Sequence, residues 1–341
     1  MCIHNPSRNC DSKKKNMKIN IKSANIFFAL FFLGYFFMLL KEFIGIGFGY
    51  HPDSLHYFEH SEIITSGSVG FFKIFSKLHY FLVDLIKYPS VLFIINIALY
   101  AICGSLIYKG IQVRFEEQKI NFRIFVFFMI FVSDFYFLHL SSTGLKETII
   151  TSLAIIAIYL FMTRRFFFAA LPFVLLLGYR LEGLVYFLPL CLKLRPKYIF
   201  IIAVCTLLLL LLLFHDRVSD YLNFLSNLDL KSRDFDKVPN FSDGTYYGFV
   251  KRFLFWPLIH LTGAYLIFSL SVEYFLFFLS VLGKSFFLIR YCNLKSILTT
   301  YLLLGMVAFM APGFTSYLRY AHPILFIIIM FNLLDEKKRK I

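Results

Sequence analysis

Charge is what this sequence has least of. Asp, Glu, Lys and Arg make up 16% of its 341 residues, whereas 59% are hydrophobic and 20% aromatic. Soluble domains carry about 45–50% apolar residues, so the chain lies outside their class. Other absences narrow the choice further. The six cysteines, Cys2, Cys10, Cys103, Cys191, Cys205 and Cys292, include no CxxC pair, which gives no sign of a disulfide framework or a metal cluster. The apolar runs are solid rather than alternating, unlike the ~10-residue strands of a membrane β-barrel. The basic start, MCIHNPSRNCDSKKKNMKINIKS, enters a long apolar run with no A-x-A-like exit. It reads as a cytoplasmic tail followed by a retained span, not a cleaved signal peptide. There are no convincing repeats or linkers.

What is present is long apolar runs. YIFIIAVCTLLLLLLLF, residues 198–214, approaches the ~20 residues that cross a bilayer as a helix. The chain is therefore expected to be all-α: a polytopic integral membrane helical bundle of about ten transmembrane helices with both termini cytoplasmic. The spans fall at 25–46, 90–108, 124–140, 148–162, 166–179, a short stretch ending at KLRPK, 198–214, 266–289, 297–310 and 322–334. Phe71, Phe72, Phe75, Leu78, Leu82 and Leu85 recur at helical spacing, which predicts an amphipathic interfacial helix after the first span. Basic tails at 1–23 and 335–341 flank a transmembrane domain, 24–334, with periplasmic loops at 47–89 and 215–252.

The net charge of +15 is spread over short loops. That is the positive-inside pattern rather than a nucleic-acid surface. It places 109–123, Arg164–Arg165, 193–197 and 290–295 in the cytoplasm. The stretch 253–290 is too long for one helix. Taking Phe253 to about His260 as a re-entrant or interfacial piece leaves one span and keeps the final DEKKRKI inside.

The opposite face collects a different set. Asp53, His56, Tyr57 and Glu59 follow the first span, and Lys146–Glu147 open the fourth. Arg180, Arg217 and Arg252 adjoin later spans, and Arg319 and His322 stand at the mouth of the last. Ionisable groups at this depth are costly and turn toward a wet cavity or one another. Arginine's planar fork suits phosphate, so Arg180, Arg217, Arg252, Arg319 and His322 are candidate phosphate ligands. Asp53 and Glu147 are candidate bases for a sugar hydroxyl. Each has a structural alternative: Lys146–Glu147 as an ordinary helix start, Arg217 and Arg252 paired with acids of their loop, Arg180 with Glu182. Asp134 and Glu273 lie within spans, as functional acids or as bonds to a neighbouring helix. Trp256, Phe253 and Phe255 fit an aromatic belt.

The order of HPDSLHYFEHSE, an interface helix, SSTGLKE, YRLEG, FLFWPLI, SVEYFLFFL and FTSYLRYAHPIL resembles bacterial membrane enzymes of surface-polysaccharide synthesis. These are the O-antigen polymerases of the Wzy type and the GT-C transferases that use polyprenyl-phosphate sugars. The resemblance implies a glycosyltransferase of the bacterial inner membrane. It would join polyprenyl-diphosphate-linked oligosaccharides, or add one sugar from a polyprenyl-phosphate donor. It gives Asp53 the place of the first-loop acid and Arg319 a lipid-phosphate role, and sets His56, Tyr57 and Glu59 beside the sugar. The paired acids of GT-C enzymes are missing, so no cofactor is expected unless the chain shares their divalent metal. The implied partners are the lipid-linked glycan, membrane lipid and other polysaccharide-export proteins. A flippase would use similar arginines but shows broken helices in two related halves, which this sequence lacks.

Overall fold

The computed structural model describes residues 23–43, 57–62, 77–179, 181–191, 246–268, 272–311 and 314–335. Every regular element among them is helical. In chain order these are α1 (Ser23–Phe43), α2 (Leu78–Ile86), α3 (Pro89–Arg114), α4 (Ile120–Phe127), a π-helical segment (Phe128–Val132) and α5 (Phe135–Ser141). Then come α6 (Lys146–Met162), α7 (Phe166–Tyr179), a 3₁₀ segment (Leu181–Phe187) and α8 (Leu188–Cys191). The last are α9 (Tyr246–Thr262), α10 (Tyr265–Phe268), α11 (Val272–Tyr291), α12 (Leu294–Met310) and α13 (Phe314–Leu334).

Local signals explain most boundaries. Pro89 starts α3, where its missing N–H costs nothing. Asn293 caps α12 by accepting the Ser296 N–H at 2.9 Å, and Asp134 caps α5 by accepting that of Phe137 at 2.8 Å. The turn into α6 needs Gly144, whose φ is +69° and whose missing Cβ leaves room for the Phe93 ring.

Among the described residues, four helices are long and apolar enough to cross a membrane: α1, α3, α11 from Tyr274 and α13 from Ser316. A fifth crossing arises if Ile120–Val132 and Phe135–Ser141, bent by 56° at Ser133–Asp134, form one span. Among the described residues four or five of the ten crossings expected from the sequence are shown. α6, α7 and α12 have 17, 14 and 17 residues, short of the ~20 that a bilayer asks for. The expected span at 198–214 lies outside the described residues. The stretch 253–260 belongs to α9, which is not among the crossing helices. The span expected at 266–289 is carried by Tyr274–Tyr291.

The bundle has two distinguishable ends. At one end, termed distal, Lys41 of α1 donates to Ser142 Oγ at 3.1 Å. His79 of α2 meets Tyr179 of α7 there, ring centroids 5.7 Å apart. At the other end, termed basal, Phe115, Phe122 and Tyr291 cluster edge to face. Arg123 donates to the Phe115 carbonyl at 2.7 Å and also to that of Glu116, and Ser296 joins α12 to Asn332 of α13 at 3.0 Å. Gly110, near the basal end of α3, packs on Met330 and Leu333, so α13 runs from distal to basal.

α13 is the core. Residues 321–330 are buried without interruption, as expected of a helix that is apolar all round. α1 is peripheral and exposes Phe28, Phe32, Phe36 and Phe43. Patches of this kind, repeated at Phe166, Phe167, Phe168 and Leu171 of α7 and at Leu282, Phe286 and Ile289 of α11, suit lipid and not water. Small residues let the helices close up, the usual device where lipid removes the hydrophobic drive to associate. Gly104 seats Leu30 and Phe131, and Gly283 seats the Met129 carbonyl.

α13 also corrects one expectation. The last span does not begin at His322: its helix starts eight residues earlier and carries Pro323 inside. Arg319 and His322 therefore lie within a helix, not at its mouth. A helical proline is tolerated where neighbouring helices satisfy the backbone.

Candidate functional site

Residues 57–62 form a helical turn that covers the distal ends of α2 and α6. Tyr57 is buried and meets the His79 ring edge to face at 4.4 Å. Lys146, the first residue of α6, holds its Nζ 5.4 Å from the centre of the Tyr57 ring, a cation–π contact. Glu147 follows in the first turn of α6 and is 5% exposed. The α6 macrodipole favours a carboxylate in that turn. His79 is also 5% exposed, and neither ring nitrogen has a hydrogen-bond partner. Burial, reinforced by the Lys146 charge and opposed by that of Glu147, lowers the His79 pKa to about 3. The His79 imidazole is therefore uncharged at neutral pH.

On the far side of the turn lies a cleft of about 690 Å³ lined by Glu59, Ser61, Glu62, Asp84 and Lys87. Glu59 is exposed there. Three acids and one lysine make this an acceptor-rich wall, suited to hydroxyl-bearing ligands more than to anions.

The two candidate arginines among the described residues belong to α9 and α13. Arg252 of α9 is 1% exposed, donates to the Ala311 carbonyl at 3.2 Å and sits 4.8 Å over the Trp256 ring. Burial draws its pKa down to about 10, so it stays charged at neutral pH. The loop acids with which its sequence neighbourhood suggested pairing lie outside the described residues. Trp256 is fully enclosed by Phe314, Tyr317 and Arg252, which corrects its assignment to an aromatic belt. Arg319 is half-buried in the second turn of α13. Asp53, His56, Arg180, Arg217 and the Glu273 side chain lie outside the described residues. Among the described residues no three His, Cys, Asp or Glu side chains gather as a metal site.

A second cluster lies within the bundle. Asp134 Oδ2 receives Lys284 Nζ of α11 at 2.5 Å and His322 Nε2 of α13 at 3.0 Å. Lys284 also donates to the Ser280 carbonyl at 3.1 Å and to its hydroxyl at 2.7 Å. All three ionisable side chains are 0–2% exposed. Asp134 stands at the 56° break, with Oδ1 capping α5. Of the two readings open for Asp134, the bonds to neighbouring helices are present. His322 meets this acid rather than the distal surface.

Sequence reasoning passed over His79, Lys284 and His260. A lysine inside an apolar run was the available signal for Lys284, whereas the His79 environment depends on residues 100 positions away in α7. Comparison with family models, with curated proteins and with solved structures finds no match to this chain. Function is therefore read from these side chains.

Proposed function

We propose that the chain is a membrane glycosyltransferase of the bacterial inner membrane, joining polyprenyl-diphosphate-linked oligosaccharide repeat units at the periplasmic face. The observation that supports this is the distal pocket of Tyr57, His79, Lys146 and Glu147 beside the acidic cleft. The basic turns favour its sidedness. Arg114, Arg123, Arg164, Arg165, Arg290 and Lys295 border the basal helix ends, which the positive-inside rule assigns to the cytoplasm together with both termini.

In the proposed reaction Glu147 takes the proton of the acceptor hydroxyl as its oxygen bonds to the donor's anomeric carbon. The bond from that carbon to the diphosphate breaks, and its electron pair leaves on the phosphate oxygen. Lys146 and Arg319 offset the charge that develops there, the largest electrostatic demand of the step. Tyr57 and Glu59 border the sugar. A single-sugar transfer from a polyprenyl-phosphate donor would use the same groups.

The triad of Asp134, Lys284 and His322 favours a second reading, a repeat-unit flippase or transporter, because charges enclosed in a bundle often mark transport paths. One experiment separates the readings. In a strain lacking the gene, a polymerase leaves surface polysaccharide as single repeat units, a transferase leaves one sugar missing, and a flippase leaves units trapped inside the cell. Unaltered polysaccharide refutes all three.

A further inference from the structure

Two histidines leave ring nitrogens unpaired deep in the bundle. His322 Nε2 faces the Asp134 carboxylate at 3.0 Å; a carboxylate only accepts, so that nitrogen carries hydrogen. In the neutral ring Nδ1 is then a bare lone pair, and it is buried with no partner. His260 of α9 is the second. Its Nδ1 lies 3.3 Å from the Tyr317 hydroxyl. With that hydroxyl donating, Nε2 carries hydrogen, and it too is buried with no partner. In that tautomer of His260, one ring lacks a donor and the other an acceptor.

The surrounding groups leave the need unmet. Lys284 already donates to Asp134 and to both oxygens of Ser280. Arg252, on the same helix as His260, is turned to the Ala311 carbonyl and Trp256. From α3, the Tyr100 hydroxyl is buried with no partner of its own. Tyr136, Phe137, Phe277 and Phe326 wall the His322 imidazole. Both histidine rings pack on Phe277, at 5.4 and 6.1 Å.

Unsatisfied polar atoms are not left bare inside a membrane, and an internal water with two or more polar partners is the usual remedy. We propose that a water molecule binds between His260 and His322, accepting from His260 Nε2–H and donating to His322 Nδ1. This water makes Tyr317, His260, His322, Asp134 and Lys284 one hydrogen-bonded chain across α9, α13, α11 and the break before α5. It is independent of the glycosyl-transfer reading. The site is an internal hydration site that joins the triad to Tyr317.

The test is solid-state NMR of the full chain, ¹⁵N-labelled at histidine, in lipid bilayers. The expected result is a water-proton contact to the His322 ring, with Nδ1 shifted as a hydrogen-bond acceptor. His260→Phe abolishes the water contact and leaves the His322–Asp134 pairing intact. His260→Gln, which keeps a donor and serves if the first variant fails to fold, retains the contact. A His322 Nδ1 with the shift of a free lone pair and no water contact in the wild type overturns the proposal. So does a contact that survives unchanged in folded His260→Phe.

Discussion

Replacing Lys284 with methionine removes one partner of an enclosed ion pair and keeps the volume and helix propensity of the site. The loss falls on Asp134, whose Oδ2 would keep only the His322 bond of the two it makes. Breaking a buried pair from one side costs about 3–5 kcal/mol, because the remaining charge stays buried without its counter-ion. At 1.4 kcal/mol per decade this lowers the folded-to-unfolded ratio roughly a hundredfold or more. Removing both charges is predicted to be far milder. In Asp134→Asn/Lys284→Met, asparagine still caps α5 by accepting the Phe137 N–H, and no uncompensated charge remains. The double variant is expected within about 1 kcal/mol of wild type, as for other buried pairs replaced by neutral residues. Reversible unfolding of the purified protein in mixed micelles measures all four corners of the cycle. A loss below about 1 kcal/mol in Lys284→Met, or a double variant as unstable as the sum of the singles, refutes the assignment of this pair as an enclosed ionic contact.

Further outcomes follow from single contacts. Gly283→Ala sets a Cβ against the Met129 backbone carbonyl, which cannot move without disturbing the π-helical segment. A loss of about 1–3 kcal/mol is expected from overpacking, read as lower yield and melting temperature in detergent. His79, with its folded pKa lowered to about 3, gives stability that is complete above its unfolded value near 6.5. Below that value the unfolded chain gains a proton that the folded chain refuses, so stability falls by about 1.4 kcal/mol per pH unit. Wild type minus His79→Phe, compared by thermal unfolding between pH 7 and pH 5, isolates this slope; parallel curves refute it. Arg319→Lys keeps the charge and removes the planar fork, and a loss of activity of at least tenfold with normal expression is expected; full activity removes Arg319 from the phosphate role.

The sequence displayed the helical class because its apolar runs are long and its charges few. Which runs cross the membrane was harder to see. Ser133–Asp134 reads as the interior of one span, yet the chain bends there by 56°, since Asp134 serves both as a cap and as an ion partner. Those partners stand 150 and 188 residues away, a separation that no local pattern encodes. Pro323 and His322 suggested a helix start where helix α13 in fact runs through. At the distal site Tyr57 and Glu147 were legible as polar groups bordering apolar runs. Their meeting through His79 was not, because it depends on how α2 folds back onto α6 and α7. The arginines read as one group, but Arg252 spends its fork on a backbone carbonyl and an indole face.

The most direct measurement is polymerisation by the purified protein in liposomes supplied with polyprenyl-diphosphate-linked repeat units, comparing wild type with Glu147→Gln. The predicted result is a ladder of longer chains with wild type and unextended units with the folded variant. A wild-type protein that makes no ladder and transfers no sugar, or a Glu147→Gln variant that extends chains at the wild-type rate, would contradict the account.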